Sequence, residues 1–342
     1  MRDLKNFIYF CGVFLSNVPK HKEAVSVMGF FSSLIFQSKT EEEQQQKADQ
    51  KNFDILKYDG IRAQRMGKTE YAVQCFTEAL KIQKDPETMK YLISAYYTLN
   101  RHDRVLEVLN DMIATGEESA DTLLMRASLH FLMEKYAEAA ADCMRVIALE
   151  PDNYLAYYQL AKSECALGES TRAIEHLNQV TGIKDDFVEA YLLRAEIYYS
   201  MEKATNALAD IEKLIELTPD DETAYLLRGC IHELLGDGDA AFADYQQALE
   251  LNPFNEKAYL LAGRLMMTRE KYDEAIALFD EAIEHNEKFA KAYEARALAK
   301  HQTGDHQGAL TDETIAGELN PEEKEKPDEN HNFDDLYKGN II

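Results

Sequence analysis

The sequence predicts an all-α fold, a solenoid of antiparallel helix pairs, and three observations carry that reading. Ala-Tyr dipeptides recur at Ala156-Tyr157, Ala190-Tyr191, Ala224-Tyr225, Ala258-Tyr259 and Ala292-Tyr293, always at the same interval. Small residues keep that step at Ala127, Ala161, Ala195, Gly229, Gly263 and Ala297, and a second alanine series runs Ala139, Ala173, Ala207, Ala241, Ala275 and Ala309. Composition agrees, since 15 Gly, 7 Pro and no Trp in 342 residues suit a mostly helical chain. Self-similarity at a fixed period marks stacked repeats, so length alone does not set a domain count here.

Within one period the apolar spacing is helical. Tyr191, Arg194, Ala195 and Tyr198 fall at i, i+3, i+4 and i+7 and share a face, and Ala207, Ile211 and Leu214 do the same after a short gap. Each unit is therefore a first helix, a turn and a second helix. Gly67, Gly168, Gly236 and Gly304 sit where the first helix needs a left-handed residue to end, a place taken elsewhere by Asn100 or a charged residue. Pro151, Pro219, Pro253 and Pro321 recur at multiples of the period where a second helix must stop. Eight units start near residues 53, 86, 120, 154, 188, 222, 256 and 290 and end near 323, with one residue fewer in the turn after Ile82. Residues 1–52 form a non-repeat N-terminal segment, 53–323 the solenoid, and 324–342 an acidic, disordered tail.

The spacing of Tyr225, Gly229, Ala241, Tyr245 and Pro253, repeated by Tyr259, Gly263, Ala275 and Phe279, resembles the tetratricopeptide repeat (TPR) family. The family's usual Trp is here Tyr, Leu56, Met89 or Leu123, and the closing Pro is missing from the fourth and seventh units. The resemblance implies a right-handed superhelix whose concave face binds extended or helical peptides. The chaperone-tail clamp of this family uses Asn with Lys and Arg on the first helices. None of the eight first helices contains Asn, so that activity is not carried over.

Chemistry is excluded class by class. A formal charge of −25, from 37 basic and 62 acidic residues, argues against a nucleic-acid partner, whose affinity comes from Lys and Arg. Residues 1–52 hold 7 basic and 6 acidic side chains, so the acidity belongs to the rest of the chain. Five separated cysteines, Cys11, Cys75, Cys143, Cys165 and Cys230, with no CxxC, suggest neither disulfides nor zinc and fit a reducing, cytoplasmic setting. His232-Glu233-Leu234-Leu235-Gly236 starts like a zinc-protease helix but lacks the second His, and His130 and His232 occupy a packing register filled elsewhere by Tyr198. Arg126 with Asp142, Arg194 with Asp210, Arg228 with Asp244 and Arg296 with Asp312 come and go together sixteen residues apart. Four copies in register read as structural ion pairs rather than as a catalytic site. No enzyme activity, cofactor or metal is expected.

The candidate site is the stripe of each first helix next to its core face. It carries an apolar ladder of Leu124, Tyr158, Leu192, Leu226 and Leu260, flanked by Ser128, Phe131, Lys162, Glu196, Tyr199, Glu233 and Met267. Lys257, Arg264, Lys291 and His301 make the C-terminal end more basic, suited to a carboxylate or acidic segment of a partner. The alternative is that the ladder packs against neighbouring helices and the charges form a solvated face.

Two apolar runs, Phe7 to Leu15 and Met28 to Phe36, are each too short to cross a bilayer. Residues 1–36 read as a membrane-surface contact, a cap on the first unit, a secretory-like leader, or, up to residue 27, an extension ahead of a start at Met28. The expected function is a non-enzymatic protein-protein interaction scaffold that binds a peptide in its concave groove. The alternative is a membrane-associated assembly or chaperone-like cofactor anchored through the N-terminal segment.

Overall fold

The computed structural model describes residues 21–320, with side chains from residue 42. Among these residues there are sixteen helices and no strand: α1 (His21–Arg65), α2 (Thr69–Ile82), α3 (Pro86–Thr98), α4 (His102–Ala114), α5 (Ala120–Leu132), α6 (Tyr136–Leu149), α7 (Tyr154–Ala166) and α8 (Ser170–Ile183). They continue as α9 (Val188–Ser200), α10 (Ala204–Leu217), α11 (Glu222–Leu234), α12 (Gly238–Leu251), α13 (Glu256–Thr268), α14 (Tyr272–His285), α15 (Ala290–Thr303) and α16 (His306–Leu319). The first helices of the second to eighth pairs begin at residues 86, 120, 154, 188, 222, 256 and 290, the starts expected from the period.

The chain divides into two compact units, residues 1–122 and 123–342. In the first, α1 packs on α2 and α3, α2 on α3, and α3 on α4. In the second, consecutive helices from α6 to α16 pack as antiparallel neighbours, and α9 also meets α11 as α13 meets α15. Within each unit, neighbouring pairs therefore bury their apolar faces on one another, the solenoid arrangement.

Local chemistry sets the ends of the helices. Asp85, Asn153, Asp221 and Asn255 cap α3, α7, α11 and α13 by accepting a hydrogen bond from a free backbone N–H of the first turn. All eight first helices end on a residue of positive φ: Gly67, Asn100, Glu134, Gly168, Glu202, Gly236, Glu270 and Gly304. The turn between α2 and α3 has three residues where four is usual, which locates the missing residue.

One expected boundary does not fall at an element end. α1 runs through residue 52 without a break, because Glu41 to Lys51 is rich in Glu, Gln, Lys and Ala, with neither Gly nor Pro to stop a helix. Gln45 and Gln50 each donate to an Asp one turn on, at 2.8 and 3.0 Å. The apolar run Phe7 to Leu15, the side chains of Met28 to Phe36 and the tail 324–342 lie outside the described residues. No described helix is long and apolar enough to cross a membrane.

The core shows size complementarity inside each pair. A Cβ added at Gly229 would overlap the ring of Tyr245, and one at Gly263 the ring of Phe279; Gly60 and Phe76 stand in the same relation. Where the small residue is alanine, the partner sixteen residues on is slimmer: Cys143 after Ala127, Leu177 after Ala161, Ile211 after Ala195. The ring fills the space that the missing methyl leaves, which keeps packing density constant.

Four ion pairs join the two helices of their repeats. Arg126, Arg194, Arg228 and Arg296 donate through Nε and Nη2 to Asp142, Asp210, Asp244 and Asp312, with closest contacts of 2.5 to 2.7 Å. The four aspartates are buried. Three of the guanidiniums also lie over a tyrosine one turn earlier, Tyr191, Tyr225 and Tyr293, at 5.3 to 5.5 Å. In the fourth repeat Leu160 replaces the arginine and His176 the aspartate, and the acidic partner stands one turn further along the first helix: Glu164, 1% exposed, meets His176 Nδ1 at 2.6 Å.

Candidate functional site

The stripe predicted as the site lies on α5, α7, α9, α11, α13 and α15, all in the second unit, and its ladder is not uniform. Leu124, Tyr158 and Leu192 are half-buried and reach the surface. Leu226 and Leu260 do not, being 4% and 7% exposed within the core that also holds Tyr259, Leu261 and Leu265. These two rungs are core, because the first helices of successive repeats close on one another here.

Around the three accessible rungs the side chains are aromatic and charged. Lys162 on α7 lies 4.8 Å from the ring centre of Phe131 and 5.7 Å from that of Tyr158, a cation held over two π faces. Tyr158 in turn packs edge-on against Phe187 at 5.1 Å. Burial pushes the Tyr158 hydroxyl up from its ordinary value, and the charges of Glu189 and Glu196 push the same way.

Glu196 lies on the next first helix. It is half-buried, and among the described residues no side chain hydrogen-bonds to it. Burial pushes its carboxyl above the usual range, against the opposing charge of Lys257. Tyr199, one turn further along α9, has its hydroxyl pushed up to about 12, first by burial and then by Cys230 and Glu233.

The C-terminal end differs from expectation. Arg264, expected to be free for a partner's carboxylate, donates to Glu233 Oε1 at 2.7 Å across neighbouring repeats. The same oxygen accepts the hydroxyl of Tyr245, whose Oη also lies 3.6 Å from Cys230 Sγ. Gly229 is what allows this, since it lets the Tyr245 ring pass beneath α11 and bring its hydroxyl to the groove side. Arg264 is therefore an internal counter-ion. Lys257 and Lys291 sit half-buried on α13 and α15, and Lys257 acts on Glu196 within the groove.

Every arginine between residues 123 and 320 is engaged in this way. Arg126, Arg145, Arg172, Arg194, Arg228, Arg264, Arg269 and Arg296 each have a carboxylate within 4.0 Å. The pairs of Glu233 with Arg264 and of Glu164 with His176, and the aromatic seat of Lys162, escape a search confined to one repeat at one register. Their signal is charge complementarity between one repeat and the next for the first pair, at a shifted register for the second, and an aromatic in the repeat before a lysine for the third. Among the described residues no group of three His, Cys, Asp or Glu could hold a metal.

Two family models, each described as a tetratricopeptide repeat, match this region, one over residues 130–197 and 234–300 and the other over 192–256. The chain belongs to the tetratricopeptide repeat family. It is 27% identical over 122 residues to RNA polymerase II-associated protein 3 of Rattus norvegicus, and 28% over 114 residues to that of Homo sapiens. These alignments cover 35% and 33% of this chain but only 18% and 17% of the curated relatives, so the chain spans less than a fifth of their length. In three dimensions it resembles the C-terminal part of a TPR repeat-containing protein from Cytophaga hutchinsonii, with a TM-score of 0.59 at 18% identity, over 73% of this chain and all of the other. That likeness speaks to the fold. A TPR array of this kind is a protein-interaction scaffold.

Proposed function

We propose that the first-helix face of residues 123–320 holds an extended segment of a partner protein, and that the chain does so as a non-enzymatic scaffold in the cytoplasm. The observation that carries the reading is the set of half-buried Tyr158, Leu192 and Tyr199 on adjacent first helices, interleaved with Lys162 and Glu196. Large apolar groups that remain accessible beside charges are the usual composition of a recognition groove, where rings give contact area and charges fix register. The hydrogen-bonded network below them, Glu233 with Arg264 and Tyr245, gives a floor whose polar groups are already satisfied.

The test is affinity purification with the full chain and with a Tyr158→Ala, Tyr199→Ala double variant. Leu226 and Leu260 are unsuitable positions, because a change there opens the core. The expected result is a co-purifying protein that the double variant fails to retain at unchanged helical content. Equal retention by both chains would move the site away from this face. Membrane attachment through residues 1–36, the competing reading, concerns side chains outside the described residues.

A further inference from the structure

The charge balance of the groove points to the chemistry of its occupant. Residues 123–320 contain 18 basic and 37 acidic side chains, a net of −19. All eight arginines of that stretch have carboxylate partners, so the positive charge of the unit is largely taken up internally while an excess of carboxylates is not. Within the stripe, Glu196 is half-buried and accepts no hydrogen bond from the described side chains. Tyr199 stands one turn further along the same helix, and Tyr158 lies on the preceding first helix. A carboxylate on a stripe that also carries tyrosines suits a lysine or arginine, which gains a charge-assisted hydrogen bond and contact with ring faces. Lys162, seated over Phe131 and Tyr158, is this chain's own example of a cation held by these rings.

We propose that the segment bound in this groove is basic, extended and partly apolar, and that it places a lysine or arginine side chain against Glu196. This rests on the groove reading above and reverses the acidic partner that the sequence suggested. The structural reason is that Arg264, the cation on which the acidic reading relied, already answers Glu233.

The experiment uses the full chain and three fluorescein-labelled twelve-residue peptides with the same leucines, the remaining positions being arginine and lysine, glutamine, or glutamate. Affinity is read by anisotropy at low and high salt. The basic peptide is expected to bind, the glutamate peptide not to, and the basic affinity to fall with added salt. Glu196→Gln is expected to weaken the basic peptide about tenfold. Glu175→Gln with Glu250→Gln, on second helices and exposed, should change it less than twofold. Equal losses in both variants mean diffuse attraction to an acidic surface and overturn the proposal, as does tighter binding of the glutamate peptide. If Tyr158→Ala with Leu192→Ala abolishes binding of the basic and glutamine peptides alike while Glu196→Gln changes nothing, the groove stands and the basic seat is wrong. If binding survives the double alanine change, the groove itself is wrong. Circular dichroism of each variant shows that it is folded.

Discussion

At the scale of single residues, the chain is governed by complementary pairs sixteen positions apart. Gly263 faces the ring of Phe279 with no room for a methyl group, so Gly263→Ala should cost about 1–3 kcal/mol by overpacking. Adding Phe279→Leu should recover part of that loss, since Ala161 with Leu177 is the same arrangement; thermal melts of the single and double variants decide it. The ion pairs obey a parallel rule. Asp210→Ala leaves Arg194, 9% exposed, without its counter-ion and should cost about 3–5 kcal/mol. Arg194→Ala with Asp210→Leu, which copies Ala262 with Leu278 of the seventh repeat, should cost clearly less, because no buried charge is orphaned.

Acid weakens one of these pairs, Arg296 with Asp312. Burial works to raise the Asp312 carboxyl, but hydrogen bonds from Arg296 and Lys300 outweigh it and hold the group below its ordinary value of 3.8. A depressed folded-state value means stability that is fully present above 3.8 and is lost as pH falls through the lower, folded value. Urea midpoints measured from pH 7 down to 3 should drop at the acid end, and Asp312→Asn should flatten that drop while lowering the midpoint at pH 7. The four Arg-Asp pairs were legible in the sequence because both members appear or vanish together. Glu164 with His176 was not, since its first-helix member stands one turn beyond the usual register and is acidic. Arg264 was misread because its partner lies in the preceding repeat, beyond the helix pair in which a register search looks.

At the scale of elements, the constant repeat period placed every first helix from α3 to α15, because small residues and tyrosines in fixed register are what stacking pairs require. The turn chemistry was legible too, including the use of charged residues where glycine is absent. Glu134, Glu202 and Glu270 hold φ values of 57° to 59°, a conformation that costs a residue with a Cβ about 1–2 kcal/mol. Glu202→Gly should therefore stabilise the fold by about 0.5–1 kcal/mol after allowing for the greater freedom of glycine in the unfolded chain. A lower melting temperature would show that the Glu202 side chain contributes more than its backbone costs. The extent of α1 was less legible, because a polar, helix-favouring stretch carries no apolar period to mark it as part of the same element.

At the scale of the molecule, the acidity that argues against a nucleic-acid partner takes on a more specific meaning. Most of the positive charge in residues 123–320 is paired, and the excess of carboxylates leaves Glu196 in the groove without a hydrogen-bond partner among the described side chains. The ladder was half legible: its period was right, but the burial of Leu226 and Leu260 depends on how closely adjacent first helices approach, which spacing along one helix does not encode. What remains accessible is a shorter aromatic stripe from Phe131 to Tyr199. The most direct test of the scaffold reading places a photo-reactive phenylalanine analogue at Tyr158 or Tyr199, and in separate chains at Glu175 or Glu250 on second helices. Irradiation of the full chain with its co-purified partner should give a covalent adduct from Tyr158 and Tyr199 and none from Glu175 or Glu250; adducts only from the second-helix positions would contradict it.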